Sequence, residues 1–238
     1  MSAVSSQQSA VSSQQSAVSS QQSHVVVNLG CGPSPIKDAI NIDNSPSVFL
    51  GHHKIICALL SALGLISPEQ KKVISATREY GIIRGSACSI PLEDGSVDVL
   101  YTSHMAEHLY EDEFRKFLAE ARRVLKPGGV LRISVPNLEA AVKSYIQNGD
   151  ADDFCDRLLL CHGRKLSGIK RLNALLFGDR GLHKRLYDPR SMKKYIEEHT
   201  GMSVTILKAG ETTIDFPTSI DYREREEGSL YAECRKNA

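Results

Sequence analysis

Apolar and polar residues alternate along the chain in two distinct patterns. Short, nearly continuous apolar runs are typical of strands that are buried on both faces of a parallel sheet. Between them, apolar residues recur every three or four positions and predict amphipathic helices, most clearly over residues 67–80 and 111–125. Strands that alternate with helices predict a doubly wound α/β fold. The predicted strands cover residues 25–29, 39–42, 81–84, 97–103 and 130–135.

The pattern changes after the fifth predicted strand. We predict a helical insert over about residues 137–187, followed by a helix over residues 189–199. Two further apolar runs, 202–207 and 229–235, predict an antiparallel hairpin that closes the sheet. The predicted sheet therefore has seven strands, most of them parallel.

The first residues have a different character from the rest of the chain. Three copies of Ser-Ala-Val-Ser-Ser-Gln-Gln begin at Ser2, Ser9 and Ser16. Such a polar repeat has too little apolar surface to offset its ordering entropy, so we expect residues 1–24 to form a disordered, low-complexity leader. The repeat lacks the basic start and the apolar core of a signal peptide. We expect one domain over residues 25–238.

Composition narrows the possible classes of function. With 238 residues, a hydrophobic fraction of 41% and a net charge of +1, the chain can bury one sizeable core and has no overall field that attracts nucleic acid. Its six cysteines include no C-x-x-C pair, which favours a reduced, cytoplasmic protein. An apolar segment over residues 48–66 is interrupted by His52, His53 and Lys54, so we expect a core or capping helix there and no transmembrane segment.

Two strand ends carry candidate binding chemistry. The first strand ends in the glycine turn Asn28-Leu29-Gly30-Cys31-Gly32, and the second ends on Asp43. Glycines let the backbone turn sharply against a ligand, and an acidic residue at the next strand end accepts hydrogen bonds from ribose hydroxyls. A dinucleotide-binding fingerprint needs a third glycine, but Pro33-Ser34-Pro35 follows here. Residues 32–39 are too few for a crossover helix, so we expect a loop or a single helical turn.

Four motifs occur in a fixed order along the chain. The glycine turn and Ile42-Asp43 are followed by Ile-Pro-Leu-Glu-Asp-Gly-Ser-Val-Asp-Val at residues 90–99 and Val-Leu-Lys-Pro-Gly-Gly at residues 124–129. Together they resemble the class I S-adenosylmethionine-dependent methyltransferases, most closely the bacterial type 11 group, over about residues 25–207. The resemblance implies a Rossmann-like sheet, S-adenosyl-L-methionine as the cofactor and transfer of its methyl group.

The resemblance also implies which residues hold the cofactor. The glycine turn would lie along its methionine part, the second strand end would hold the ribose, the third would border the adenine and the fourth would face the reacting end. These residues are Asn28, Leu29, Gly30, Cys31, Gly32, Asp43, Asn44, Ser86, Ala87, Cys88, Ser103 and His104. Relatives usually carry an acidic residue where Asn28 and Ser86 stand, and this departure weakens the expected hold on the nucleoside.

The turn after the fourth strand admits two interpretations. His104, Glu107 and His108 match the zinc pattern H-x-x-E-H, but a zinc site also needs a third ligand and a helix that presents both histidines on one face. The preceding strand and the match to the methyltransferase turn favour the second interpretation, so we expect no metal. In that interpretation His104 is the first candidate for a general base, because histidine titrates in the useful range. His183 is the second candidate if the insert folds over the site.

The insert and the helix after it carry an unbalanced charge. From residue 157 to residue 194 there are eleven lysines and arginines against two acids. A solvated basic face explains this excess, and so does a binding site for an anionic acceptor. Residues 183–188 and 226–236 resemble a methyltransferase group associated with cell-surface polysaccharide synthesis, which favours a small-molecule or lipid-linked saccharide. RNA is disfavoured because aromatic residues for base stacking are sparse.

The predicted function is therefore an S-adenosylmethionine-dependent methyltransferase that methylates an oxygen of a saccharide or another anionic acceptor. Two alternatives stay open. One is a non-catalytic module that binds the cofactor, which Asn28 and Ser86 favour. The other is an NAD-dependent oxidoreductase, which requires a fuller glycine fingerprint. The sequence leaves the acceptor, the methylated atom and the oligomeric state open.

Overall fold

One seven-stranded sheet organises the computed structural model, which describes residues 24–160 and 181–237. Its strands are β1 (Val26–Leu29), β2 (Ile40–Asp43), β3 (Ile83–Arg84), β4 (Val97–Ser103), β5 (Leu125–Pro136), β6 (Ser203–Leu207) and β7 (Ser229–Arg235). Their spatial order is β3-β2-β1-β4-β5-β7-β6. The pairs from β3 to β5 are parallel, whereas β7 runs antiparallel to both β5 and β6. The predicted doubly wound, mostly parallel sheet is confirmed.

The helices of the described residues begin and end at recognisable signals. They are α1 (Pro46–His52), α2 (Lys54–Ala62), α3 (Pro68–Tyr80), α4 (Glu111–Val124), α5 (Leu138–Asn148), α6 (Ala151–Arg157) and α7 (Pro189–Thr200). The Ser67 hydroxyl accepts the backbone N–H of Gln70, whose side chain accepts the N–H of Ser67, so a capping box starts α3. On α4, Phe114 and Phe117 are fully buried in the core cluster that also includes Ile196 of α7.

An irregular segment, residues 208–228, covers part of the second face of the sheet. Its Ile214 and Ile220 are buried against Val26, Val99 and Tyr101 of the central strands. Parallel sheets need cover on both faces, and here a loop packs where a helix is the usual solution. The segment thereby leads the chain from β6 to the start of β7 across the middle of the sheet.

The connection from β1 to β2 is a loop, as predicted. The buried Asn41 side chain accepts the N–H of Ile36 at 2.8 Å and donates to the carbonyls of Ile36 and Ala39 at 2.9 and 3.0 Å. Asn28 donates from its amide to Asn41 Oδ1 and to the carbonyl of Ser34, both at 3.1 Å. Two side-chain amides thus satisfy backbone groups that a helix would have satisfied internally.

Residues 48–66 differ from the prediction. The segment is interrupted at His53, and the apolar residues predicted to share one helix face (Ile55, Ile56, Leu59, Leu60 and Leu63) lie in α2 and at its C-terminal end. Val48 of α1 is buried, but Ile55 and Leu59 of α2 are 79% and 62% exposed, so the prediction of a core helix is wrong for α2. Within the described ranges, no helix is long and apolar enough to cross a membrane.

In the predicted insert the structure describes α5 and α6 and the chain that returns from residue 181 to α7. The two ends of this region are joined, because the N–H of Leu138 donates to the carbonyl of Tyr187 at 2.9 Å and Asn137 pairs with Tyr187 in a parallel bridge. Residues 161–180, with five of the eleven basic residues counted from 157 to 194, lie outside the described residues, as does the predicted leader up to residue 23.

A fully buried ion pair joins the sheet to the segment that covers it. Arg132 of β5 donates from Nη1 to Glu233 Oε1 of β7 at 2.6 Å, and the two side chains are 0% and 1% exposed. The same guanidinium donates to the carbonyl of Glu211 at 3.0 Å, while Glu233 accepts the hydroxyl of Thr212 and the N–H of Thr213. Burial opposes the charged carboxylate, yet the hydrogen bonds from Thr213, Thr212 and Arg132 lower the pKa of Glu233 below its usual value.

We expect Glu233→Gln to lower the free energy of unfolding by about 3–5 kcal/mol, because it leaves the buried Arg132 charge without a counter-ion. Urea unfolding at neutral pH measures the loss. The matched control is Glu226→Gln, which removes an exposed partner of Arg223 and should cost about 0–1 kcal/mol. Equal losses in the two variants would contradict an anchoring role for the buried pair.

Candidate functional site

The carboxyl ends of the parallel strands meet at one edge of the sheet, and the glycine turn lies there. The N–H groups of Gly30 and Cys31 donate to the carbonyl of Ile42 at 2.8 and 3.3 Å, which ties the turn to β2. Gly30 has φ +72°, and a Cβ at this position would lie 2.7 Å from Cγ of Met105. Both the left-handed backbone and the close packing therefore require glycine.

Asp43 connects the glycine turn to the end of β2. Its Oδ2 accepts the N–H of Gly32 at 2.9 Å, and its Oδ1 accepts the N–H of Ser45 at 2.7 Å. Each oxygen of a carboxylate has two lone-pair directions, so both can still accept a hydrogen bond from a ligand. Next to it, the Cys31 thiol is kept neutral because burial, reinforced by the charge of Asp43, raises its pKa.

The first cavity, of about 260 Å³, brings together the residues predicted at the ends of β2 and β3. Asp43 and Asn44 line one side and Ser86, Ala87 and Cys88 another. Leu29 and Gly30 also line this cavity. Sequence reasoning missed Met105, Leu109, Tyr110 and Glu113, which supply the remaining wall from the turn after β4 and from α4. The cavity thus combines a carboxylate, small polar groups and apolar surface.

The second cavity, of about 500 Å³, lies on the other side of Gly30. The predicted residues Asn28, Cys31, Gly32, Ser103 and His104 line it. Asp221, Glu224 and Arg225, which the sequence did not single out, approach from the covering segment 208–228. Because Gly30 lines both cavities, an elongated ligand can pass over the glycine turn from one to the other.

The third cavity, of about 430 Å³, contains both histidines that the sequence proposes as bases. His104 and Arg225 line it as well as the second cavity, and His183 enters it from the end of the predicted insert. This end of the insert therefore brings His183 into the same cavity as His104. Ser229 also lines this cavity, and no local sequence signal marks it.

His104 has an unusual backbone conformation and two side-chain partners. Its φ is +51°, a region that residues other than glycine rarely adopt and that clusters at functional sites. Its Nε2 lies 3.1 Å from Oγ of Ser229, and its Nδ1 lies 3.2 Å from Oε1 of Glu107. The N–H of His104 donates to the carbonyl of Ser134 at 2.8 Å, so the backbone is held to β5.

Glu107, His108 and His183 place possible metal-ligand atoms within 4.8 Å of one another. The structure therefore supplies the third side chain that the H-x-x-E-H pattern lacks. Ligand atoms bound to one zinc ion lie about 3.3 Å apart, given bond lengths of about 2.0–2.1 Å and tetrahedral angles. Glu107 Oε1 and His183 Nε2 are 3.9 Å apart, and His108 lies on a 3₁₀ turn, Ala106–His108, whereas His104 precedes it, so no helix presents both histidines on one face. The absence of a metal stays a prediction.

His183 is kept in its neutral form by its surroundings. Burial lowers the pKa of the His183 imidazole below its usual value of 6.5, although the charge of Glu107 acts in the opposite direction. A neutral imidazole can accept a proton, so His183 has the protonation state that a base requires.

Known proteins provide an independent comparison. The family model described as "Methyltransferase domain" matches residues 57–133. A probable S-adenosylmethionine-dependent methyltransferase of Mycolicibacterium smegmatis is 43% identical over 56 residues, which are 24% of this chain and 21% of that protein. An uncharacterised 37.1 kDa protein from a transposon in Streptomyces fradiae is 29% identical over 119 residues, or 50% of this chain and 32% of that protein.

Among solved structures, the putative methyltransferase in a complex with the Trm112 activator from Haloferax volcanii has a TM-score of 0.49. It is 15% identical, over 90% of this chain and 82% of that chain. The chain spans about a fifth to a third of the length of the curated relatives above. The match to the methyltransferase family model covers residues 57–133, and a methyltransferase domain over residues 25–238 stays a prediction.

We expect acid to destabilise the protein partly through His183. Because its pKa is lower in the folded state than in the unfolded state, the unfolded chain binds the extra proton, and stability falls as the pH drops below about 6.5. Urea unfolding between pH 8 and pH 5 should show a weaker loss in His183→Gln than in the original protein. The exposed His53→Gln variant should keep the original slope. Parallel profiles for all three proteins would contradict the neutral, buried state of His183.

Proposed function

We propose that this protein is an S-adenosylmethionine-dependent methyltransferase that methylates an oxygen of a saccharide or another anionic acceptor. The observation that carries the proposal is the glycine turn that Asp43 holds at the junction of two cavities in a methyltransferase domain. The third cavity, with two histidines and two arginines, adjoins this junction and offers a place for the acceptor.

The residues present fit the cofactor. In the first cavity Asp43 and Asn44 would hold the ribose, and the stretch from Ser86 to Cys88 would border the adenine. A Cβ built on Gly32 meets nothing within 4 Å, so the side of this turn that would carry a side chain is open for the amino-acid part. When bound, the cofactor supplies a methyl group that its sulfonium already activates for displacement. The protein then has to position the acceptor.

The third cavity supports an anionic acceptor. Within the described part of the chain Arg225 forms no ion pair, although Glu224, Glu226 and Glu227 are close in sequence. A free guanidinium can bind a carboxylate or phosphate through two parallel hydrogen bonds. Arg157 lines the same cavity and pairs with Asp153. A uronic acid or a phosphate-linked saccharide matches this chemistry.

His104 and His183 are the groups we propose to handle the proton of the acceptor. A hydroxyl attacks a methyl group poorly unless its proton is removed as the new bond forms. Both side chains line the third cavity, and His104 also lines the second, where the amino-acid end of the cofactor would lie.

A module that binds the cofactor without turnover is the second candidate. One observation favours it, because both ring nitrogens of His104 already contact protein groups, Ser229 and Glu107. An acceptor hydroxyl would have to replace Ser229 as the partner of Nε2. Tight cofactor binding without transfer to any acceptor would support this candidate.

We expect S-adenosylhomocysteine to raise the melting temperature and NAD to leave it unchanged. A ligand that binds only the folded state stabilises it by about 2.7 kcal/mol at one hundred times its Kd. Asp43→Ala should lose most of the shift because the ribose hydroxyls lose their acceptor. Glu198→Ala, an exposed carboxylate on α7, should keep it. A full shift in Asp43→Ala would remove this residue from the cofactor site, and a shift with NAD alone would favour an oxidoreductase.

We expect radiolabelled methyl groups to pass from S-adenosylmethionine to the hydroxyls of oligosaccharides that carry uronic acid or phosphate, and to neutral oligosaccharides more weakly. Scintillation counting of the isolated sugars measures the transfer. His104→Ala and His183→Ala should each lower turnover about a hundredfold while the S-adenosylhomocysteine shift remains. The exposed His53→Ala is the control. Cofactor binding without label on any sugar of the panel would contradict saccharide methylation.

A further inference from the structure

Glu107 is a buried acid to which the proposed reaction so far gives no role. Its side chain is 1% exposed and lies on the 3₁₀ turn that follows β4. Its carbonyl accepts the N–H groups of Lys184 and Arg185 at 2.7 and 3.3 Å. The turn and the end of the predicted insert are thus held together at this residue, and the Glu107 carboxylate contacts both histidines of the third cavity.

The charge of this carboxylate needs compensation. The closest partners of Oε1 are His104 Nδ1 at 3.2 Å and His183 Nε2 at 3.9 Å. Neither of these contacts has hydrogen-bond geometry, and no hydrogen bond reaches either carboxylate oxygen in the described residues. An unpaired buried carboxylate costs several kcal/mol, so a proton or a cation must accompany it.

The hydrogen bonds of the Ser229 hydroxyl show which ring nitrogen of His104 carries a proton. The Ser229 hydroxyl has one proton and donates it to the carbonyl of Arg225 at 2.6 Å. Ser229 Oγ can therefore only accept from His104 Nε2, 3.1 Å away, which means that Nε2 carries a proton. On the other side of the ring, Nδ1 lies 3.2 Å from the buried Glu107 carboxylate. A negative charge this close favours a ring that carries a second proton.

We propose that Glu107 is a positioning residue that keeps His104 doubly protonated, so that His104 donates from Nε2 to the acceptor and His183 takes the acceptor's proton. This assignment rests on the proposed function and divides the roles of its two histidines. The acceptor replaces Ser229 at Nε2 and presents its oxygen to the proton that His104 keeps.

The proposed step is balanced. A lone pair of the acceptor oxygen forms the bond to the methyl carbon, and the electron pair of the broken carbon–sulfur bond stays on sulfur. The O–H bond of the acceptor breaks, and its proton moves to a ring nitrogen of His183. His183 is suited to this role because burial lowers its pKa, whereas Glu107 lies 3.9 Å away and can balance the charge that His183 gains.

The experiment is nitrogen-15 NMR of the histidine rings in the full chain, which reports the protonation of each ring nitrogen and requires no acceptor. Signals are assigned by loss in His104→Gln and His183→Gln. In the original protein near pH 7 we expect His104 to carry protons on both nitrogens and His183 on one. In Glu107→Gln we expect His104 to lose one proton and keep the other on Nε2. The exposed pair variant Glu197→Gln should leave both patterns unchanged.

Three results would overturn the inference: a singly protonated His104 in the original protein, a His104 pattern that is the same in Glu107→Gln, or stoichiometric metal in the purified protein with metal-shifted signals from His108 and His183. The original protein alone can give the first and third results, so the test stands even if Glu107→Gln does not fold. The melting-temperature shift with S-adenosylhomocysteine is measured separately. Its absence would count against the proposed function and would leave the histidine assignment to be decided by NMR.

Discussion

The buried pair of Arg132 and Glu233 is the interaction on which the second face of the sheet depends. Buried charges need hydrogen-bond partners, and here several of them come from residues 208–228, including the carbonyl of Tyr222 and the hydroxyl of Thr212. The pair therefore fixes an irregular segment that has few regular backbone bonds of its own. Replacement of both charged residues by apolar ones can preserve stability. It would, however, remove the hydrogen bonds that hold residues 208–228 to the sheet.

The path of residues 208–228 determines which of their side chains reach the carboxyl edge of the sheet. Beyond its anchored part, the segment contributes Glu224, which accepts the hydroxyl of Tyr101, and then Arg225, which lines two cavities. Ser229 follows at the start of β7 and contacts His104. The surroundings of His104 and His183 are therefore built from three separate parts of the chain: the end of β4, the start of β7 and the end of the predicted insert.

Local sequence signals were sufficient for most of the fold and for the cofactor side of the site. Apolar runs marked each strand to within about two residues except β5, which begins at Leu125, five residues before its predicted start, because Lys-Pro-Gly-Gly interrupts the apolar run. A glycine turn next to an acid at a strand end is a local pattern, so Asp43 could be found from the sequence. The exposed face of α2 was missed because helical spacing shows that a face is apolar and does not show what covers it. Ser229 was missed because it meets His104 across 125 positions of sequence. The roles of the predicted site residues stay predictions.

Two buried carboxylates in this protein, Glu233 and Glu107, have different kinds of partner. Glu233 receives hydrogen bonds from a guanidinium, hydroxyls and a backbone N–H, so its charge is satisfied within the protein in every state. Among the described residues, the basic atoms nearest to the Glu107 carboxylate are imidazole nitrogens, at 3.2 and 3.9 Å, and these are groups that gain and lose protons. A pair held by several hydrogen bonds resists change and holds structure, whereas a carboxylate whose nearest basic neighbours can change protonation responds to a proton that enters or leaves the cavity. The difference in their partners is the physical reason to assign Glu233 to the fold and Glu107 to the chemistry.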